Sequence, residues 1–317
     1  MGKMKVLLHY TAGPAWQREL SRLDPLGIQV DCCDERDDAR FYHLLPSAEV
    51  LWHLLRPLSS DDIAKATNLR LIQKIGIGVN TIDLEAARTR NIPVCNMPGT
   101  NSRAVVEMAL LLMLACLRRL PLLDRATREG SGWKLDSALQ DSYRELAEKT
   151  IGIVGFGAVG KLLRPILQAM GARVIYTDLK PNAEDAEGFR ELPDLLREAD
   201  IVSLHVPLTS ATSNLLDRHR LAMMRPGSIL INTARGGLVE RSALYESLKS
   251  GHLGAAGLDV FSTEPVPADE PLLQLDNVVV APHVAWLTTE TLERSLKVAV
   301  ENCRRLAEGE PLLHRVT

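Results

Sequence analysis

Ile151-Gly-Ile-Val-Gly-Phe-Gly-Ala-Val-Gly160 reads as a short apolar strand, a turn with glycines at 155, 157 and 160, and the opening of a helix. Gly155 permits the tight turn, Gly157 has no side chain to obstruct a pyrophosphate, and Gly160 lets helix and strand pack closely. The backbone N–H groups and the positive end of the helix dipole then face an anion. Gln168 to Gly171 closes the helix, and Ala172-Arg-Val-Ile-Tyr176 reads as a second strand that delivers Asp178 to its carboxyl end, 18 residues beyond Gly160. A carboxylate there accepts both ribose hydroxyls of an adenosine and repels a 2′-phosphate, so the unit reads as a site for NAD rather than NADP. Pro165 falls inside the helix, where a proline costs about 3 kcal/mol and predicts a kink.

Working outward, residues 4–9, 27–32, 48–55, 71–76 and 92–95 read as strands, with helices at about 14–22, 59–66 and 83–90. Ser59 and Asp83 are suited to N-caps. Strands alternating with short helices imply a parallel sheet covered on both faces. A long apolar helix over Asn101 to Leu120 and a polar stretch over Asp124 to Lys149 lead into the glycine unit. Strands at 200–205, 228–233, 254–259 and 277–281 and a last helix at about 287–309 follow it. The expected fold is therefore α/β with two doubly wound parallel sheets.

Composition narrows the function. The 317 residues carry a net charge of −3, which offers no electrostatic footprint for nucleic acid. The five cysteines (Cys32, Cys33, Cys95, Cys116 and Cys303) show no metal-ligand spacing and read as reduced thiols of a cytoplasmic protein. The N-terminus passes straight into a strand without the apolar region of a signal peptide. The run Val105 to Leu117 is too short to span a membrane and carries Glu107, so it reads as a buried helix.

Candidate chemistry gathers at the carboxyl ends of the later strands, where open α/β sheets bind ligands. His205 lies in Leu204-His-Val-Pro-Leu-Thr209, Arg235 in Ile231-Asn-Thr-Ala-Arg-Gly-Gly237, Asp259 and Glu264 in Gly257-Leu-Asp-Val-Phe-Ser-Thr-Glu-Pro265, and His283 in Ala281-Pro-His-Val-Ala-Trp286. In the order and spacing of these motifs, from about Ala48 onward, the chain resembles the D-isomer-specific 2-hydroxyacid dehydrogenases, a family that includes glyoxylate, hydroxypyruvate and phosphoglycerate enzymes. The resemblance implies a central Rossmann NAD domain at 99–286 and a smaller flavodoxin-like substrate domain at 1–98, completed by 287–317.

The resemblance also implies roles. Arg235, Glu264 and His283 form the catalytic set. The chemistry agrees: reducing a 2-oxo acid needs a proton at the carbonyl oxygen, which a histidine can supply near neutral pH. Glu264 favours the imidazolium and fixes the ring, and Arg235 holds the carboxylate in a fork and polarises the carbonyl. For NAD, the resemblance adds to Gly155, Phe156, Gly157, Ala158, Val159, Gly160 and Asp178 the loop residues His205, Val206, Pro207 and Thr212, then Thr233, Ala234 and Asp259. Asp259 is expected to accept from the nicotinamide carboxamide, and His205 to support its loop rather than react.

The loop Lys74-Ile-Gly-Ile-Gly-Val-Asn80 is either a plain strand-to-helix turn before Asp83 or, as the resemblance implies, a substrate loop with backbone amides at Gly78 and Val79. Asn101 is an N-cap, a neighbour of substrate, or both. Arg56, in His53-Leu-Leu-Arg-Pro57, is either a solvated arginine or, as the resemblance implies, a contact to the far end of the substrate. Trp286 either narrows the pocket or packs the first turn of the last helix. Small acids such as glyoxylate suit a narrowed pocket, whereas an acid with a distal anion gives Arg56 a purpose. A homodimer through the 101–120 helix is implied by resemblance alone. The alternative is an NAD-sensing, corepressor-like scaffold without turnover; no metal site and no membrane or nucleic-acid partner is expected.

Overall fold

The computed structural model describes residues 3–134, 136–182 and 186–317; Met1 and Gly2, where the reading of the N-terminus begins, lie outside them. The chain divides into two compact units, residues 1–101 with 287–317, and residues 102–286.

The first unit has the strands β1 (Met4–His9), β2 (Ile28–Cys33), β3 (Val50–His53), β4 (Leu71–Lys74) and β5 (Val94–Cys95). They form one parallel sheet in the order β2-β1-β3-β4-β5. The central strands β3 and β4 are buried along their whole length, as suits strands covered on both faces, whereas the edge strand β2 is buried only at its two ends. The helices α1 (Pro14–Ser21), α2 (Asp38–Leu44), α3 (Ser60–Lys65) and α4 (Leu84–Thr89) connect them. Ser59 caps α3 in a reciprocal capping box with Asp62, and Asp83 caps α4. Sequence reading missed α2: its first turn is charged, and Phe41 is its only buried residue.

The last helix belongs to this unit, with a buried polar pair tying it down. Asn302 donates to Gln73 Oε1 at 2.6 Å and accepts from the Leu313 N–H at 2.7 Å. Gln73 and Asn302 are both 0 % exposed, and the remaining polar atoms of the pair are satisfied by backbone of Lys74, Cys95 and Leu313.

In the second unit, α5 (Ser102–Arg118) precedes α6 (Leu120–Arg128). The expected polar stretch thus begins inside a second helix. Arg119, at φ +49°, breaks α5, and Pro121 suits the first turn of α6. The strands β6 (Thr150–Val154), β7 (Arg173–Thr177), β8 (Ile201–Leu204), β9 (Ser228–Asn232), β10 (Leu253–Leu258) and β11 (Val278–Val280) form a parallel sheet ordered β11-β10-β9-β8-β6-β7. The helices α7 (Ala158–Ala169), α8 (Leu192–Glu198), α9 (Arg218–Met223) and α10 (Arg241–Lys249) cover it, and α11 (Thr289–Glu308) is the helix that returns to the first unit. α7 runs unbroken through Pro165.

Beyond β7 the sheet continues for one residue. Phe189 pairs in parallel with Tyr176, flanked by hydrogen bonds from Tyr176 N–H to Gly188 O and from Arg190 N–H to Tyr176 O, both 2.8 Å. With that vestigial third strand, the order around β6 is 3-2-1-4-5-6, as in dinucleotide-binding sheets. The order reverses between β6 and β8, so the ends of those strands flank the crevice. Among the described residues, no helix is long and apolar enough to cross a membrane.

Three histidines are held neutral by burial. The pKa values of His9 and His205 fall from 6.5 to about 4, and that of His53 falls well below 6.5. Between pH 6.5 and 4 the unfolded chain therefore binds more protons than the native one, and stability falls with pH in that window. The urea midpoint should drop between pH 7 and pH 4.5, by an amount corresponding to a few kcal/mol; an unchanged midpoint would contradict the burial of these rings.

Candidate active site

The glycine turn has the spatial reasons its sequence suggests. Gly155 sits at φ +97°, and a Cβ there would lie 2.7 Å from His205 O. A Cβ on Gly160 would lie 2.6 Å from Gly155 O. Gly157 differs: no atom comes within 4 Å of where its Cβ would be. Its bareness is unexplained by packing and leaves open space at the N-terminus of α7, where an anion is stabilised. Asp178 is exposed at the end of β7, its carboxylate fixed by the N–H groups of Phe156 and Leu179, each at 2.7 Å. Two of about four lone-pair sites are thereby used, and the rest remain for ribose hydroxyls. The Phe156 ring stacks on Tyr176 at 3.9 Å, locking the turn to β7. Ala158 and Val159 form the first turn of α7, Val159 packing into the core.

After β8, His205 bonds through Nε2 to Ser203 Oγ at 2.9 Å. Its neutrality suits a supporting residue. Val206 packs against the core, and Pro207 is exposed. Thr212 ties the same loop, donating to Pro207 O at 2.6 Å and accepting from Thr209 N–H at 2.8 Å. After β9, Thr233 Oγ1 is buried with no partner, an orphan hydroxyl of the kind a bound ligand satisfies. These features fit a dinucleotide.

The turn after β9 also carries Arg235. Asn232, 1 % exposed, donates to Arg235 O at 2.8 Å and accepts from Ala234 N–H at 3.0 Å. Sequence reading passed over Asn232, although an asparagine that bonds its own backbone two or three residues on is a known turn former. Gly236 was also missed. A Cβ there would stand 1.9 Å from the Phe261 carbonyl carbon and 2.3 Å from Ser262 N. The Arg235 turn thus lies directly against the backbone that leads to Glu264.

Glu264 accepts from Phe261 N–H at 2.8 Å through Oε1 and meets His283 Nδ1 at 2.6 Å through Oε2. Burial pushes its carboxyl up, but the His283 hydrogen bond and charge, the Phe261 amide and the Arg235 charge outweigh it, leaving the pKa below the usual value. Burial lowers the pKa of Arg235, and the Glu264 charge opposes this.

His283 has φ +56°, an uncommon conformation that the surroundings must hold. Asp259 holds it. Its carbonyl accepts from His283 N–H at 2.7 Å, and its carboxylate oxygens accept from Val284 and Ala285 N–H, both at 2.9 Å. Asp259 is 0 % exposed, and its two oxygens anchor the histidine loop through one N–H bond each, which leaves acceptor sites for a carboxamide. The indole of Trp286, 8 % exposed, donates to His283 O at 3.0 Å and closes the same loop.

The remaining residues expected near substrate belong to the first unit. Among the described residues, the Gly78 and Val79 N–H groups have no protein acceptor. Asn101 does not act as a side-chain cap, because its Oδ1 is buried without a partner at the start of α5. Arg56 is 21 % exposed in its side chain and pairs with Asp38 at 2.7 Å. No group of three or more His, Cys, Asp or Glu that could hold a metal occurs among the described residues.

Residues 110–285 match the family model described as D-isomer specific 2-hydroxyacid dehydrogenase, NAD binding domain. The chain is 40 % identical over 256 residues to a hydroxypyruvate reductase of Thermotoga maritima, covering 79 % of this chain and 82 % of the other. It is 38 % identical over 299 residues to a D-3-phosphoglycerate dehydrogenase of Mycobacterium bovis, covering 92 % of this chain but spanning only 55 % of that relative's length. Among solved structures, the TT0316 protein of Thermus thermophilus superposes with a TM-score of 0.89 at 36 % identity, over 99 % of this chain and 100 % of the other.

Proposed function

The chain belongs to the D-isomer-specific 2-hydroxyacid dehydrogenase family, with NAD as its cofactor, and on that premise we propose that it interconverts a 2-oxo acid and its D-2-hydroxy acid. The observation that carries the reading is the 2.6 Å contact of Glu264 with His283 Nδ1, within the unit that also holds Arg235 and the glycine turn.

When bound, the nicotinamide supplies or accepts the hydride. Glu264 engages Nδ1 and so leaves Nε2 of His283 as the atom that gives its proton to the substrate carbonyl oxygen. After transfer the neutral imidazole keeps its Nδ1 proton, hydrogen-bonded to Glu264, and in oxidation Nε2 takes the hydroxyl proton back. Arg235 pairs with the substrate carboxylate and stabilises negative charge developing on the carbonyl oxygen. Asp259, Trp286 and Asn232 hold the two loops at the required geometry. The Gly78 and Val79 amides, with Asn101 and its orphan oxygen, are proposed as further contacts to substrate, which makes 1–98 with 287–317 the substrate domain and 99–286 the NAD domain.

Exposed apolar side chains along α5, α6 and the segment after them support a homodimer: Leu111 is 54 %, Leu120 52 % and Trp133 86 % exposed. Five free thiols suit a reducing, cytoplasmic setting. NADH oxidation against a panel of 2-oxo acids tests the activity, and tight NADH binding without turnover on any acid would refute it. Asp178→Ala should raise the KM for NADH about tenfold or more and admit NADPH; an unchanged cofactor preference would remove Asp178 from the site.

A further inference from the structure

Asp178 is exposed at the end of β7, and an aspartate in the open ordinarily turns freely about its last torsion. Here both of its oxygens are held. Oδ2 accepts from the Phe156 N–H and Oδ1 from the Leu179 N–H, each at 2.7 Å. Phe156 belongs to the glycine turn, whereas Leu179 lies in the segment Asp178-Leu-Lys-Pro-Asn182 that leaves the sheet. The aim of the carboxylate therefore depends on two stretches of backbone from different parts of the unit. One side chain reaches both.

Tyr176, on β7 and 0 % exposed, stands two residues before Asp178. Its ring stacks on that of Phe156, with centroids 3.9 Å apart and planes 21° from parallel. The Phe156 ring also lies against Gly160, where a Cβ would come within 3.3 Å of it, and the Arg164 guanidinium is 5.8 Å from its centre. Fixing that ring fixes the Phe156 amide, the partner of Oδ2. The Tyr176 hydroxyl accepts from the Asn182 N–H at 2.8 Å, which ties down the far end of the segment after Asp178. Pro181, whose φ is set by its own ring, stiffens the stretch back to Leu179, the partner of Oδ1. The Phe189 ring meets Tyr176 edge-on at 5.8 Å and completes its seat.

Resting on the reading of Asp178 as the ribose contact, we propose that Tyr176 is a positioning residue for the adenosine half of NAD, aiming the Asp178 carboxylate through the Phe156 and Leu179 amides. Wholly buried, Tyr176 works through Asp178 rather than by touching the cofactor. A carboxylate already aimed loses less freedom on binding, so the aim is read out as affinity. Phenylalanine in its place keeps the stack on Phe156 and the filled core, and leaves the Asn182 N–H to water. Oδ2 then stays held while the segment that fixes Oδ1 is loosened. The reacting end of the cofactor is untouched by this change, so affinity and turnover should part.

The test is the affinity for ADP-ribose, which carries the adenosine and no nicotinamide. Calorimetry compares the wild-type protein, Tyr176→Phe, Asp178→Ala and the double variant, with melting temperatures to verify folding. Tyr176→Phe should weaken ADP-ribose binding by about threefold to tenfold. It should raise the KM for NADH by the same factor, with kcat for hydroxypyruvate within about twofold of wild type. In the Asp178→Ala background the same substitution should change affinity by less than about twofold, because the group it aims is gone. Unchanged affinity in folded Tyr176→Phe, losses that simply multiply in the double variant, or a fall in kcat at constant KM each overturns the inference and leaves Asp178 in the site. ADP-ribose bound equally by Asp178→Ala and wild type overturns the reading of Asp178 and the inference with it.

Discussion

Replacing His283 by alanine is expected to lower kcat for 2-oxo acid reduction by about 10²–10⁴-fold and to leave NADH affinity within about twofold of wild type. The size follows from removing the proton donor itself: hydride arrival at the carbonyl carbon then leaves an alkoxide with only water to protonate it. NADH affinity is spared because the glycine turn and Asp178 lie on other loops and make no hydrogen bond to His283. Glu264→Gln should lose less, about 10–100-fold. A neutral amide still orients the ring by a hydrogen bond but removes the Glu264 charge beside it, so the loss should appear in kcat. The double variant should be little worse than His283→Ala alone, since Glu264 acts through the histidine. Steady-state kinetics across pH, with NADH binding by fluorescence, checks all three. Additive losses would mean that Glu264 acts independently.

Gly236→Ala is expected to be nearly as damaging, for a steric reason. The new methyl would stand 1.9 Å from the Phe261 carbonyl carbon and 2.2 Å from its oxygen, and backbone cannot rotate aside as a side chain can. Either the Arg235 turn or the segment leading to Glu264 must move. A shift of about 1 Å at a reacting group can cost about 10²-fold in rate, and overpacking of this kind typically costs about 1–3 kcal/mol of stability or more. The variant should therefore melt several degrees lower and lose most of its kcat/KM, while any folded fraction still binds NADH through the untouched turn at 155–160. A fully stable, fully active variant would show that the two loops do not meet.

The contrast between these residues shows what the sequence could disclose. The glycines at 155 and 160 and the acid at 178 were legible because their reasons lie in local turn chemistry and in the next strand. Arg235, Glu264 and His283 were singled out through the family resemblance, and the structure brings Glu264 and His283 into hydrogen-bond contact from 19 residues apart. Gly236 was not legible, because the reason for it is Phe261, a distant residue in sequence. Asp259 was placed near the site, but the two backbone amides of the histidine loop that it accepts from were not legible, because they lie 25 and 26 residues further along the chain. The third strand of the second sheet was missed because it has shrunk to Phe189, and α2 because its charged first turn hides a single buried ring. Missing α2 left Arg56 open to two readings, since its partner Asp38 lies on that helix.

The most direct test of the account is to reduce hydroxypyruvate or glyoxylate with NADH carrying deuterium at nicotinamide C4 and to follow the label. The account predicts direct transfer of deuterium to C2 of the product, in the D configuration where that carbon is chiral, and the rate of transfer collapsing in His283→Ala. NADH bound at the glycine turn with no label reaching any 2-oxo acid would contradict it and leave a nicotinamide-binding protein without this chemistry.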